Sequence, residues 1–190
     1  MKGCVFAFAC VAAACCSVSA ANLTTTLSRE NRTIVLLNGE FAEGDASRLR
    51  DTIRASINSA KPVSGIRLNS PGGSMLEGVR LAGVIQNAKV ATVVASGATC
   101  VAACFIAFVA GNQKFVSVSA MVGAPGAADK SGQEPAHEIP AIVRVVKELG
   151  LLDAISEKML NTREGEVFWL THDDLRAMGA TITGRPGQAR

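Results

Sequence analysis

Strand-like runs that alternate with amphipathic helices predict an α/β fold for this chain. Three observations carry that expectation. Thr33–Leu37 is a β-branched and leucine run that stops at Asn38-Gly39, as a strand entering a turn does. Ile66–Leu68 runs through Ser70-Pro71-Gly72-Gly73 into Ser74, where a helix opens. Ala180–Thr183 follows a capped helix and closes the chain as another strand.

Between Thr33 and Ile66, Leu49, Ile53 and Ile57 recur at helical spacing, with Arg48, Arg50 and Arg54 on what reads as a solvated face. Ser74 and Glu77 have capping-box spacing ahead of Leu76, Val79 and Leu81. Val90–Val94 is apolar enough for a buried strand. Thr99–Ala110 is apolar on every side and ends at Gly111, which predicts a buried helix too short to span a membrane. Phe115–Val122 alternates apolar residues with serines and reads as one strand, and Gly123–Pro135, rich in Gly, Ala, Pro and Asp, reads as a loop. Pro140 fits a first helical turn, Ile142, Val145, Val146 and Leu149 follow at helical spacing, and Gly150 closes that helix. A further helix spans Asp153–Leu160. Thr171 and Asp174 then cap a short helix that ends at Gly179. Trp169, in the bulky run Val167–Leu170, is expected in the core.

The start of the chain has a different character. Lys2, the apolar run Val5–Cys16 and the small residues of Val18-Ser19-Ala20 have the layout of a secretory signal peptide cleaved after Ala20. A retained membrane anchor and lipidation at Cys15 are the competing readings; the run is shorter than the roughly 20 residues a spanning helix needs. Removal of residues 1–20 leaves 21–190 as one domain in a periplasmic or secreted location. The formal charge falls from +3 to +2 when Lys2 leaves, and the basic residues are scattered among acids. Nothing in that pattern points to nucleic acid or an anionic membrane.

Of six cysteines, Cys4, Cys10, Cys15 and Cys16 lie in the leader, so the exported chain keeps Cys100 and Cys104. An oxidising compartment favours a disulfide. On one continuous helix, however, Cβ atoms four residues apart are about 5–6 Å from one another, against about 3.8 Å in a disulfide. A bridge therefore needs a distorted first turn, and two small buried thiols are the alternative. With no neighbouring His or acid the pair is a poor zinc site, and neither metal nor cofactor is expected.

The Pro71-Gly72-Gly73 turn is the strongest chemical signal. A strand that ends in such a turn and opens a helix exposes backbone N–H groups that can bind an anion or a developing oxyanion, or it makes only a tight turn. It is neither a dinucleotide loop nor a phosphate loop.

Taken together, Asn69-Ser-Pro-Gly-Gly73, the strand after it, Cys100-Val-Ala-Ala-Cys104, Phe108-Val-Ala-Gly111, and Trp169-Leu-Thr171 with Leu175–Gly179 resemble the Clp protease proteolytic subunit (ClpP) and its exported bacterial relatives, in the ClpP/crotonase superfamily. The resemblance covers about Thr33 to Thr183 and implies a ClpP/crotonase-like fold of repeated β-β-α units. In that family the nucleophilic serine follows the second Gly by 29 residues, which here falls on Ala102. The base position falls on Pro125 and the third triad position on Val167, and the oxyanion hole would be the backbone N–H groups of Gly73 and Ala103. Exported relatives often carry Cys-Ala-Ser-Ala-Cys where this chain has Cys100-Val-Ala-Ala-Cys104.

A triad needs a nucleophile, a base to take its proton and a group to orient the base. Ala102, Pro125 and Val167 supply none of these. The implied reading is an inactive pseudo-protease that retains a groove for a peptide or an acyl group, or a protein that serves in assembly. The alternative is an active hydrolase with a displaced pair, Cys100, Thr99 or Ser74 as nucleophile and His137 as base; His172, in a first helical turn, suits a plain exposed role. The resemblance also implies a homo-oligomer, whereas a Clp ATPase is not an expected partner for an exported chain.

Overall fold

A computed structural model describes residues 20–126 and 139–184. Residues 1–19, which hold most of the expected leader, the stretch that carries His137, most of the expected 123–135 loop and the last six residues lie outside the described residues.

Two sheets and six helices form the described fold. The larger sheet contains β1 (Asn22–Leu27), β2 (Thr33–Asn38), β3 (Val63–Asn69), β4 (Ala91–Val94), β6 (Lys114–Ser117) and β9 (Ala180–Thr183), in that spatial order. Only β1 is antiparallel to its neighbour; the rest run parallel. The smaller sheet contains β5 (Thr99–Val101), β7 (Met121–Pro125) and β8 (Val167–Trp169), with β7 between the other two, parallel to β5 and antiparallel to β8. Helices α1 (Asp45–Asn58), α2 (Met75–Ala88), α3 (Ala103–Val109) and α4 (Ile139–Glu148) separate the strands, so the chain reads β1-β2-α1, β3-α2, β4-β5-α3, β6-β7-α4. This is the repeated β-β-α pattern, with one strand missing from the second unit. Helices α5 (Asp153–Leu160) and α6 (His172–Ala177) flank β8.

The parallel strands bury one face and leave the other half-buried or exposed: buried Val35 and Leu37 alternate with half-buried Ile34 and Leu36, and exposed Arg67 stands between Ile66 and Leu68. Val35, Leu37, Ile66 and Leu68 are all buried, as are Val94 and Val116. Helix α3 lies in the middle of the core, with all seven of its residues buried. Two close approaches seat it. A Cβ at Gly78 of α2 would come within 2.6 Å of the Ala103 carbonyl oxygen, and one at Gly73 would overlap the backbone of Phe41 at 2.4 Å. These glycines let α2 and the turn before it lie directly against α3 and the β2–α1 connection.

Most expected elements are present, with four differences. Thr99–Ala110 is not one helix: Thr99–Val101 is a strand paired with Met121–Gly123, and α3 begins only at Ala103. An apolar run buried on every side carries no period, so the strand-to-helix change leaves no trace in hydropathy. Phe115–Val122 is not one strand either. Ala120 N–H donates to the Ser117 carbonyl at 2.9 Å in a turn, and the chain then enters β7, which takes Gly123, Ala124 and Pro125 out of the expected loop. Strand β1 adds an antiparallel edge that begins one residue after Ala21. Lastly, Trp169 is not in the core: it is 45% exposed, its ring lying across Gly123 of the neighbouring strand.

Capping follows the expected residues with one change. Thr171 and Asp174 make a reciprocal capping box. Ser74 accepts from the Glu77 N–H at 3.2 Å, but the Glu77 carboxylate turns away from the cap to accept from Ala46 N–H at 2.7 Å and Arg80 at 3.2 Å. The three arginines of α1 also divide. Arg48 binds the buried Asp45, while Arg50 and Arg54, with Arg80, stand around a groove of about 530 Å³ over Ile53, Ile57 and Val84.

Candidate active-site cavity

The small sheet brings to one place Ala102, Pro125 and Val167, the positions that the family resemblance assigns to a triad. Ala102 directly follows the last residue of β5, Pro125 ends β7, and Val167 begins β8. Because β7 is parallel to β5 and antiparallel to β8, those three strand ends share an edge, and Pro125 pairs with Val167. All three line one cavity of about 230 Å³, together with Met75, Ile142, Glu164 and Glu166. The last four have no sequence signal of their own; Glu164 and Glu166 come with the turn that feeds Val167 into β8. A proline is tolerated here because the ladder bond beyond the pair is made by Gly126 N–H to the Glu166 carbonyl at 2.9 Å.

Ala102 is the sharp point of the site. Its φ of 52° and ψ of −114° are those of neither helix nor strand, and for a residue with a Cβ such a backbone costs about 1–3 kcal/mol. A strained strand-to-helix elbow of this kind is how hydrolases present a nucleophile at the tip of a turn. Several bonds hold it. Ala102 N–H donates to the Gly123 carbonyl at 3.1 Å, Val101 N–H to Ser70 carbonyl at 3.1 Å, and Ser70 N–H to Thr99 carbonyl at 2.7 Å. The Asn69 side chain accepts from Thr99 N–H at 3.1 Å. Cys100 and Cys104 are joined as a disulfide across the elbow, their Cα atoms 5.1 Å apart. The one-helix geometry that argued against a bridge does not apply, since one cysteine is on β5 and the other in the first turn of α3.

The Pro-Gly-Gly turn lies against this elbow. A Cβ on Gly72 would come within 3.1 Å of the Ala102 Cβ and 3.5 Å of the Ala103 nitrogen. Gly73 faces Phe41, whose N–H donates to the Gly72 carbonyl at 2.6 Å and whose carbonyl accepts from Ser74 N–H at 2.9 Å. The Gly73 N–H takes no part in that bridge, and the Ala103 N–H, as the first of α3, has no carbonyl one turn back to bind.

Among the described residues, the substitute groups do not converge on the cavity. Cys100 is oxidised and buried, which removes it as a nucleophile. The Ser74 hydroxyl caps α2, Thr99 lies in β5, and His172 opens α6; none of the three lines the cavity. The groups with displaced titration also lie elsewhere. Burial lowers Lys114, and the Lys147 hydrogen bond lowers Asp153. Among the described residues no group of three His, Cys, Asp or Glu could hold a metal ion, and no helix is long and apolar enough to cross a membrane.

Comparison of the coordinates with solved structures identifies the architecture. The fold is ClpP-like. ClpP1 from Listeria monocytogenes superposes with a TM-score of 0.57 at 21% identity, over 82% of this chain and 94% of that one. The ClpP catalytic domain from Plasmodium falciparum gives 0.58 at 14% identity, over 80% and 85%. A membrane protease specific for a stomatin homologue, 1510-N from Pyrococcus horikoshii, gives 0.55 at 16% identity, over 79% and 71%. No protein-family model and no curated protein matches the chain by sequence. The likeness is shared at identities that speak for architecture alone.

Proposed function

We propose that this chain is an exported ClpP-fold pseudo-protease that binds a peptide or an acyl group in the Ala102 cavity and does not cleave it. One observation carries the reading: the backbone at Ala102 retains a strained elbow while its side chain is a methyl group. Strain of about 1–3 kcal/mol persists only where the surroundings over-determine it, and such outliers cluster at functional sites. Here the elbow comes with Pro125 and Val167 at the base and orienting positions, so the geometry of acyl transfer is kept without its proton chemistry.

The cavity suits this role. Its walls are the apolar Met75, Ala102, Pro125, Ile142 and Val167, with Glu164 and Glu166 as its charged residues. On this reading the N–H groups of Gly73 and Ala103 bind a carbonyl oxygen of the ligand. The leader and the Cys100–Cys104 bridge together support a periplasmic or secreted location, where disulfides persist. Family resemblance supports a homo-oligomer. An active site built on a displaced nucleophile loses Cys100 to the disulfide and Ser74 to the α2 cap.

The test is a set of three proteins assayed on peptide and ester substrates. The parent chain shows no turnover. Ala102→Ser alone stays inactive, because an unassisted hydroxyl is a weak nucleophile and loss of a triad base alone costs about 10⁶-fold. Ala102→Ser with Pro125→His gains measurable hydrolysis if the elbow and N–H groups are competent. Robust hydrolysis by the parent, or by Ala102→Ser alone, would overturn the proposal and direct attention to His137.

A further inference from the structure

Ala21 is 1% exposed, although Ala20 before it is exposed. Its N–H points inward and donates to Oδ2 of Asp45 at 3.3 Å, and its carbonyl accepts from the Arg48 guanidinium at 2.7 Å. Asp45, the first residue of α1, is fully buried; the same Oδ2 also accepts from Ala42 N–H at 3.0 Å, while Oδ1 accepts from Arg48. Strand β1 starts at the next residue and is fixed by six consecutive pairs from Asn22↔Asn38 to Leu27↔Thr33, so the nitrogen of residue 21 cannot drift from the carboxylate without breaking that ladder.

We propose that cleavage between Ala20 and Ala21 converts this contact into a buried ion pair between the new α-ammonium of Ala21 and the Asp45 carboxylate, so that maturation locks the edge strand β1 onto α1. The inference rests on the export reading, which places the cut after Val18-Ser19-Ala20. Hydrolysis breaks the Ala20–Ala21 amide and consumes one water; Ala20 leaves as a carboxylate and Ala21 keeps its nitrogen, which takes up a proton. The donor that faces Asp45 thereby changes from a neutral amide to a cation with three hydrogens. Charge-assisted hydrogen bonds are roughly twice as strong as neutral ones. Arg48 shares the carboxylate through Oδ1, which leaves Oδ2 to the ammonium and the Ala42 N–H. The device is specific to this bond. One extra residue would carry the charge out to the exposed position 20, and one fewer would remove the buried donor.

The experiment has two independent parts. The N-terminus of the exported protein, read by intact mass, should be Ala21; a chain that begins elsewhere overturns the maturation step. Separately, two chains are released from a cleavable fusion, one starting at Ala21 and the other at Ser19. The Ala21 chain should melt about 3 °C higher, and Asp45→Asn in both should abolish the gap. If Asp45→Asn fails to fold, NMR titration of the Ala21 α-amino group replaces it, with Asp45 and Arg48 as the charged side chains in contact. That group should titrate above the usual range of about 7.7–8.0. Equal melting temperatures, a gap that survives Asp45→Asn, or an α-amino group in its ordinary range overturns the ion pair.

Discussion

At the junction of α1 and α2, Asp45 and Glu77 are taken out of water and accept from Ala21, Ala42, Ala46, Arg48 and Arg80. At the elbow between β5 and α3, a strained backbone is held in the core while the side chains that face the cavity from the three strand ends are those of Ala, Pro and Val. Among the described residues no buried side-chain nitrogen or oxygen lacks a partner, so the polarity kept inside is polarity that braces the scaffold. The contrast teaches where the chain has kept expensive features: charges that hold the helices, and strain that shapes a cavity.

The largest effect should come from the charged junction. Glu77→Ala removes two bonds to a buried carboxylate and leaves Ala46 N–H unpaired, at about 3 kcal/mol; calorimetry should show the melting temperature falling by roughly 6–12 °C. Next is the bridge over the elbow. Replacing Cys100 and Cys104 together by Ala should cost about 2 kcal/mol, the amount expected for so short a closed loop, and hydrogen exchange should rise first around Val101–Cys104. A third substitution separates strain from packing and has the opposite sign. Ala102→Gly releases the positive-φ cost, and after the greater flexibility of glycine in the unfolded chain is subtracted it should stabilise by about 1 kcal/mol. A destabilised Ala102→Gly variant would mean that the elbow is not strained.

Sequence reasoning reached the framework more readily than the site. The Ser74 cap, the Thr171–Asp174 box and the period of α1 are local signals, and local signals survive without tertiary information. The elbow is a non-local feature. Its strand exists because Thr99–Val101 finds Met121–Gly123 across the core, and neither run alternates enough to announce this. The same pairing explains the disulfide, since the cysteines are too far apart only on one continuous helix, and here Cys100 is on a strand and Cys104 on α3. Trp169 departs from expectation for a related reason: a bulky apolar residue favours the core, yet its cross-strand neighbour is a glycine and the ring lies over it at the surface. Positions 102, 125 and 167 came from a family resemblance, because no local pattern of Ala, Pro and Val marks a site.

The smallest expected effect is a pH dependence at the N-terminal cap of α6. Burial acts to raise the Asp174 carboxyl, but hydrogen bonds from Lys158 and from the Thr171 N–H and hydroxyl hold it below its ordinary value. Its contribution is therefore present above the unfolded-state pKa of about 3.9 and is lost as pH falls through the lower folded-state value. Asp174→Asn should lower the melting temperature by about 2 °C at neutral pH, and the difference should close in acid.

The central claim is that the cavity keeps the shape of an acyl-transfer site without its nucleophile, and labelling tests it most directly. Purified chain starting at Ala21 is incubated with a serine-reactive fluorophosphonate and read by intact mass, with the Ala102→Ser, Pro125→His protein in parallel. The account predicts no adduct on the parent and a single adduct on the double variant, at residue 102. Stoichiometric labelling of the parent would contradict it.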